Sequence, residues 1–367
     1  MVFAVSLSRS TNSVAVIGGG VVGAAVAYTL ARRGVAPVLL EAEDALALGA
    51  SGTNSGILHT GFDSVPGALE TQLILRSAAL RDAVLDELGV PALRCGAVLR
   101  PGTDEQADNA RRNGVTVALR EGALEVPGET VTDPVAYTLA LAAAAQRAGA
   151  EIRTGARVEA IARAHRRLRV GGDIVCDVAV NCAGLRADAV ARLVGDESFT
   201  IYPRKGEFFV FDATLDRILL PVPTKRTKGV LVFPTIDGKV VAGPTAHDQS
   251  DKEDWSVRPA ARAEVLDKAA AMLPALDGAE PIASYAGLRP AGADGANYVI
   301  GPSPACPQLI NVAAIRSTGL SASLGIGAHV AALVEQAGVA LGADRTLPPG
   351  DVPAPEVPWW RRRAWLR

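Results

Sequence analysis

Three stretches of the chain combine residue types and spacings that could do chemistry. The first is Gly18-Gly19-Gly20-Val21-Val22-Gly23, a G-x-G-x-x-G run. Its glycines would permit a tight turn, close approach of the backbone to a pyrophosphate, and close helix–strand packing. Glu41 follows at the distance where an acidic side chain can accept ribose hydroxyls. The second stretch is Gly49-Ala50-Ser51-Gly52-Thr53-Asn54-Ser55-Gly56-Ile57-Leu58-His59-Thr60-Gly61. It is small, polar and glycine-rich, so its backbone amides can come close to a flat ligand. Of its side chains only His59 titrates near neutrality, which makes it the candidate general base. The third comprises Arg289, locked ahead of Pro290, and Ile315-Arg316-Ser317-Thr318-Gly319-Leu320. A guanidinium offers a bidentate fork to carboxylate or phosphate. Lys228, with Lys225 and Arg226 nearby, is the candidate second cation.

Each signal also has a plainer reading. The G-x-G-x-x-G can be a turn without a ligand, and the second stretch a surface loop. His59 can pack on the ligand rather than act as a base. Arg289 can be a structural ion pair, Ser317 a helix N-cap, and the basic run at Lys228 a solvated loop.

The elements that must position these residues can be read from periodicity and breakers. Residues 13–17 are a short buried strand running into the glycines, 21–33 a helix with Gly34 as its stop, and 37–40 a second strand. That is a complete βαβ opening, and its helix start carries partial positive charge for phosphates. Helices are expected at 69–88 and 134–148, the latter with Pro134 in its first turn. A strand at 151–153, a segment at 158–161 and a strand at 178–182 follow. From residue 199 the pattern changes to strand-like segments at 199–203, 207–212, 229–234 and 240–244, joined by Pro, Gly and Asp turns. This predicts an antiparallel sheet rather than more βαβ. Residues 260–276 read as an Ala-rich helix, 286–290 as a short strand, 297–301 and 309–314 as returning strands, and 320–337 as a helix whose free N–H groups would point at a ligand.

Composition limits the possibilities. With 367 residues and about 150 per domain as a prior, two domains are expected. Apolar residues make up 49% and charged residues 21%, enough for an ordinary core. Lys plus Arg is 37 and Asp plus Glu 39, so the chain is not built around nucleic acid. The N-terminus lacks the pattern of a signal peptide. No apolar run approaches the roughly 20 residues of a spanning helix. Cys95, Cys176, Cys182 and Cys306 form no C-x-x-C pair, and the four histidines do not cluster. A reduced, cytoplasmic chain without a metal site is expected.

The segment 49–67, with Asn54-Ser55-Gly56, His59-Thr60-Gly61 and Pro66-Gly67, resembles the flavin loop of the FAD-dependent amino- and hydroxy-acid oxidase superfamily. Within it the chain is most similar to glycerol-3-phosphate oxidases and the catalytic part of glycerol-3-phosphate dehydrogenases, with L-2-hydroxyglutarate oxidases close behind. The resemblance spans about residues 13–340. It implies an α/β fold: a Rossmann-like FAD-binding domain of the glutathione-reductase/p-hydroxybenzoate-hydroxylase type with an inserted antiparallel-sheet substrate domain. The FAD domain would comprise residues 1–65, 130–200 and 285–345, and the substrate domain 66–129 and 201–284. FAD would be held by Gly18, Gly20, Gly23, Glu41, Ser51, Asn54, Ser55, Gly56, Val158, Ala183, Gly184, Thr318, Gly319 and Leu320. Val158 would lie beside the adenine half, and the start of helix 320–337 beside the flavin pyrimidine.

The implied reaction moves hydride from an alcohol C–H to flavin N5. His59 takes the hydroxyl proton, and Arg289, Ser317 and Lys228 hold the anion. The expected substrate is sn-glycerol-3-phosphate, giving dihydroxyacetone phosphate. L-2-hydroxyglutarate, an amino acid or an amine is the alternative, and a flavin-retaining non-enzyme is a further one. Oxygen, a quinone or a carrier protein would reoxidise the flavin. Residues 346–367 read as a Pro-rich linker and a tail. Trp359, Trp360 and Trp365 are gathered there with Arg361, Arg362, Arg363 and Arg367. That composition suits peripheral contact with an anionic membrane, or docking on the chain's own body or a partner subunit.

Overall fold

The computed structural model describes residues 14–222, 229–350 and 357–365. Lys225, Arg226 and Lys228 lie outside the described residues.

The opening strand β1 (Val14–Ile17) is buried throughout and runs into helix α1 (Val21–Arg32) and strand β2 (Val38–Leu40). Strands β3 (Glu151–Arg153), β4 (Val178–Asn181), β5 (Val299–Pro302) and β6 (Leu309–Ala313) complete a six-stranded sheet in the order β5-β6-β4-β1-β2-β3. All its pairs are parallel except β5 with β6. Because side chains alternate across a strand, the sheet has two apolar faces. Val14, Val16, Leu39 and Val180 pack under helices. These are α1, α2 (Leu69–Glu87), α3 (Pro134–Arg147) and α4 (Gly319–Gln336), with α1 against both α3 and α4, and α2 against α4. Ala15, Ile17, Val38 and Leu40 pack on the other face, under an antiparallel meander of Ile161–Ala164, Arg167–Val170 and Ile174–Cys176. The result is a Rossmann-like α/β layer structure.

A second sheet of nine strands stands beside it, built mainly from residues 201–292 with Ala97–Leu99, Ala118–Arg120 and Ala123–Val126. It is antiparallel except where Ile218–Leu220 runs parallel to Ala97–Leu99. Several expectations change here. Segments 199–203 and 207–212 are one strand, Ile201–Phe211, and 286–290 is the middle of a longer one, Ala283–Gly292. These two pair in unbroken register, with Pro203 opposite Pro290, where neither ring is asked for an N–H. The expected boundary at residue 285 therefore falls inside a strand of the second sheet. Helix α2, expected with the substrate domain, instead packs on α4 of the first layer.

Residues 102–130 carry a helix, Asp104–Arg112, with a Thr103–Gln106 capping box. A small three-stranded sheet joins Ile57–Leu58, Thr130–Thr132 and Ala92–Leu93. Among the described residues, no helix is long and apolar enough to cross a membrane.

Candidate active site

A cavity of about 830 Å³ opens between the two sheets. Its floor is the turn after β1. Gly18 has φ +110°, and a Cβ there would strike the Cys182 carbonyl. A Cβ on Gly23 would strike the Gly18 carbonyl, so Gly23 packs the helix on the turn and does not itself line the cavity. Gly20 is the N-cap of α1 and offers no side chain. The Val21 N–H instead donates to Ser51 Oγ at 2.9 Å. Glu41 lines the cavity while one carboxylate oxygen accepts from Gly19 N–H (2.7 Å) and the other from Glu43 N–H (2.9 Å).

The 49–61 stretch is ordered by its own hydrogen bonds. Ala50–Thr53 forms one 3₁₀ turn. Asn54 Oδ1 accepts from Gly56 N–H at 3.0 Å, and Asn54 Nδ2 reaches the Ser317 carbonyl at 3.5 Å. Asn54 and Ser55 line the cavity. Gly56, expected to touch the cofactor, is not among the residues that line the cavity. It lies against Thr132, whose N–H it receives at 2.9 Å, and its φ of +77° turns the chain. Val158, Ala183, Gly184, Thr318, Gly319 and Leu320 all line the cavity. The N-cap of α4 is Thr318 rather than Ser317, and no side chain caps the helix. The Thr318 hydroxyl donates to Glu70 Oε1 at 2.6 Å and lies 2.9 Å from Tyr298 Oη. The first N–H groups of α4 are thus left without a side-chain acceptor at the cavity wall.

His59 and Arg289 line the same cavity. Ile57 pairs with Val131 and Leu58 with Thr130, so the ladder delivers His59 beside Glu129. The imidazole Nδ1 stands 2.8 Å from Glu129 Oε2. Glu129 is fully buried, and its other oxygen accepts from the Thr60 N–H (2.7 Å) and hydroxyl (2.8 Å). Arg81, also buried, donates to the carbonyls of Leu58, His59 and Gly128 and locks the corner. A carboxylate only accepts, so a neutral imidazole bonded to it carries its proton on Nδ1 and presents a free Nε2 lone pair. Neither Glu129 nor Arg81 is signalled by any motif.

Arg289 donates to the carbonyls of Arg204 (3.1 Å), Lys205 (3.0 Å) and Thr245 (2.8 Å). Among the described residues it pairs with no carboxylate. Burial first, and the nearby Arg204 charge second, push its pKa down to about 10, so it remains a cation at neutral pH. Its cross-strand neighbour Arg204 also lines the cavity but is matched by Asp248 at 2.5 and 3.0 Å. Ser317 is an exposed residue at the rim.

The family model for FAD dependent oxidoreductases matches residues 13–333. The chain belongs to this family. It is 28% identical over 348 residues to the glycerol 3-phosphate dehydrogenase of Caloramator mitchellensis, covering 86% of this chain and 72% of that one. It is 29% identical over 289 residues to the L-2-hydroxyglutarate dehydrogenase of Escherichia coli K12, covering 69% and 68%. Among solved structures, the dithionite-reduced L-alpha-glycerophosphate oxidase of Mycoplasma pneumoniae with FAD bound matches with a TM-score of 0.83 at 25% identity, covering 90% of this chain and 95% of that one.

The chain is therefore an FAD-dependent oxidoreductase with a Rossmann-like FAD fold. Its residues fit the cofactor: side-chain-free backbone at Gly18 and Gly20, a helix start without a side-chain cap at α4, and a cavity in the size range of a large ligand.

Proposed function

We propose that this FAD-dependent oxidoreductase oxidises sn-glycerol-3-phosphate to dihydroxyacetone phosphate. The observation that carries the reading is Arg289, a buried cation that pairs with no carboxylate among the described residues, in the same cavity as the His59–Glu129 pair. Bound FAD supplies the two-electron acceptor for the substrate C–H. The chain's own residues do the rest. Gly18, Gly20, Ser51 and the start of α1 would hold the pyrophosphate, Glu41 the ribose, and the start of α4 the flavin pyrimidine, where negative charge develops. Arg289 anchors the phosphate and so orients the alcohol. His59 Nε2 takes the hydroxyl proton as the C–H bond breaks, and Glu129 holds the imidazole in the tautomer that can accept it. Kinship with a glycerol 3-phosphate dehydrogenase and with a glycerophosphate oxidase structure supports this substrate.

A small 2-hydroxy acid is the second reading. With its Nε and Nη2 donors held by backbone carbonyls, Arg289 would meet a carboxylate or a phosphate alike through Nη1, and an L-2-hydroxyglutarate dehydrogenase is among the relatives. The two are separated by comparing kcat/KM of the wild type for sn-glycerol-3-phosphate and for L-2-hydroxyglutarate, and the role of Arg289 is tested by its substitution. With His59 intact, replacing Arg289 by Lys should raise KM for glycerol-3-phosphate while glycerol itself remains a poor substrate. Equal turnover of glycerol and its phosphate would exclude phosphate anchoring.

A further inference from the structure

The tryptophan-rich C-terminal stretch takes no part in the proposed chemistry, yet Trp359 and Trp360 are only 2% and 6% exposed. Trp359 meets the Tyr285 ring edge-on with centroids 5.4 Å apart. Tyr285 in turn stacks on Phe208 at 4.8 Å, and Phe208 lines the cavity. Trp360 Nε1 donates to Asp237 at 3.1 Å, and the Arg361 guanidinium covers the Trp360 ring at 4.8 Å. Arg362 feels the charge of Asp133, the N-cap of α3. Helix Trp359–Trp365 packs on the Ala50–Thr53 turn, on strand Ala283–Gly292 and on α3. The strand presses on the same turn, since a Cβ on Gly287 would meet the Thr53 carbonyl at 2.8 Å. The turn carries Ser51, which receives the Val21 N–H at the start of α1.

We propose that the C-terminal helix is an intramolecular clamp on the cofactor loop, with Trp359 and Trp360 as positioning residues for FAD. The loop contains Gly49, Gly52 and Gly56, and a glycine-rich segment loses much entropy when it orders. Two buried aromatic rings offset that loss before the cofactor arrives, so binding FAD requires less ordering. The same burial takes both rings away from any bilayer interface.

The test compares apoprotein of the full chain, a chain ending at Gly350, and the Trp359→Ala/Trp360→Ala variant, each titrated with FAD. The clamp predicts that FAD Kd rises about tenfold or more in both shortened and substituted chains, while far-UV circular dichroism of the apoproteins stays that of the full chain. It also predicts coupling to the loop. Ser51→Ala should weaken FAD binding in the full chain and add little in the chain ending at Gly350. Unchanged FAD affinity would overturn the proposal. So would a Ser51→Ala effect of equal size in both backgrounds, or variants that fail to fold, because the helix would then support the whole protein rather than the loop.

Discussion

His59 Nδ1 lies 2.8 Å from Glu129 Oε2, and the Glu129 carboxylate has no exposed surface. The contact ties the cofactor loop to strand Thr130–Thr132 and leaves one face of the imidazole to the cavity. In the proposed reaction this is a base with its orienting partner.

Glu129→Gln keeps shape but changes the bond. The amide can offer an N–H to Nδ1, which moves the imidazole proton to Nε2 and removes the acceptor lone pair. Anaerobic stopped-flow reduction should slow by about 10²–10⁴, close to the effect of His59→Ala. FAD content should remain that of the wild type. A rate within a few-fold of wild type would remove Glu129 from this role.

Two glycines of the first motif should respond differently. Gly20 has an ordinary backbone conformation, and a Cβ there meets only Ser51 Oγ, at 3.0 Å. Gly20→Val should fold but purify colourless, because the side chain occupies the pyrophosphate position. Gly23→Val drives a side chain into the Gly18 carbonyl, so soluble expression should fall. Yellow Gly20→Val protein would contradict the placement of the cofactor.

Arg289→Lys keeps the charge but loses the fork and cannot reach all three carbonyls. KM for the anionic substrate should rise about tenfold to hundredfold, the size of one or two charge-assisted hydrogen bonds. The limiting rate should change less. Steady-state kinetics over a wide substrate range gives both values.

Lys205 is 1% exposed, and its ammonium donates to Asp254 at 2.7 Å. That bond, with the Ser256 hydroxyl and N–H, lowers the Asp254 pKa to about 2. A carboxylate with a depressed folded pKa stabilises the fold above its unfolded pKa of about 3.9, and the contribution fades as pH falls toward 2. Asp254→Asn should therefore lower stability at pH 7 by about 1 kcal/mol, a value discounted for solvent screening because the Asp254 side chain is 43% exposed. The gap to wild type should begin to shrink below about pH 4 and close as pH falls through about 2. Urea unfolding at pH 7 and pH 3 measures it, and an equal gap at both would exclude the ion pair as the cause.

The nucleotide-binding end is legible in the sequence because it is local. Strand, glycine turn, helix and acid follow one another, and the shape of the turn is written in Gly18 and Gly23. Glu129 is not legible, since it sits between Gly128 and Thr130 without a motif and reaches His59 only through strand pairing. Pro203 and Gly206 read as breakers, but an unbroken partner strand with Pro290 opposite Pro203 carries the chain straight through. The Trp cluster at 359–365 is visible by composition. Its destination depends on Tyr285, Phe208 and Asp237, which no local pattern connects to it.

In the proposed reaction this cavity oxidises a small phosphorylated alcohol. The most direct measurement is anaerobic mixing of the FAD-loaded protein with sn-glycerol-3-phosphate, followed at the oxidised-flavin absorbance band. Rapid bleaching is expected, with one equivalent of dihydroxyacetone phosphate formed per flavin, and little bleaching with L-2-hydroxyglutarate or glycine. A flavin that stays oxidised with glycerol-3-phosphate but bleaches with either of the other two would contradict it.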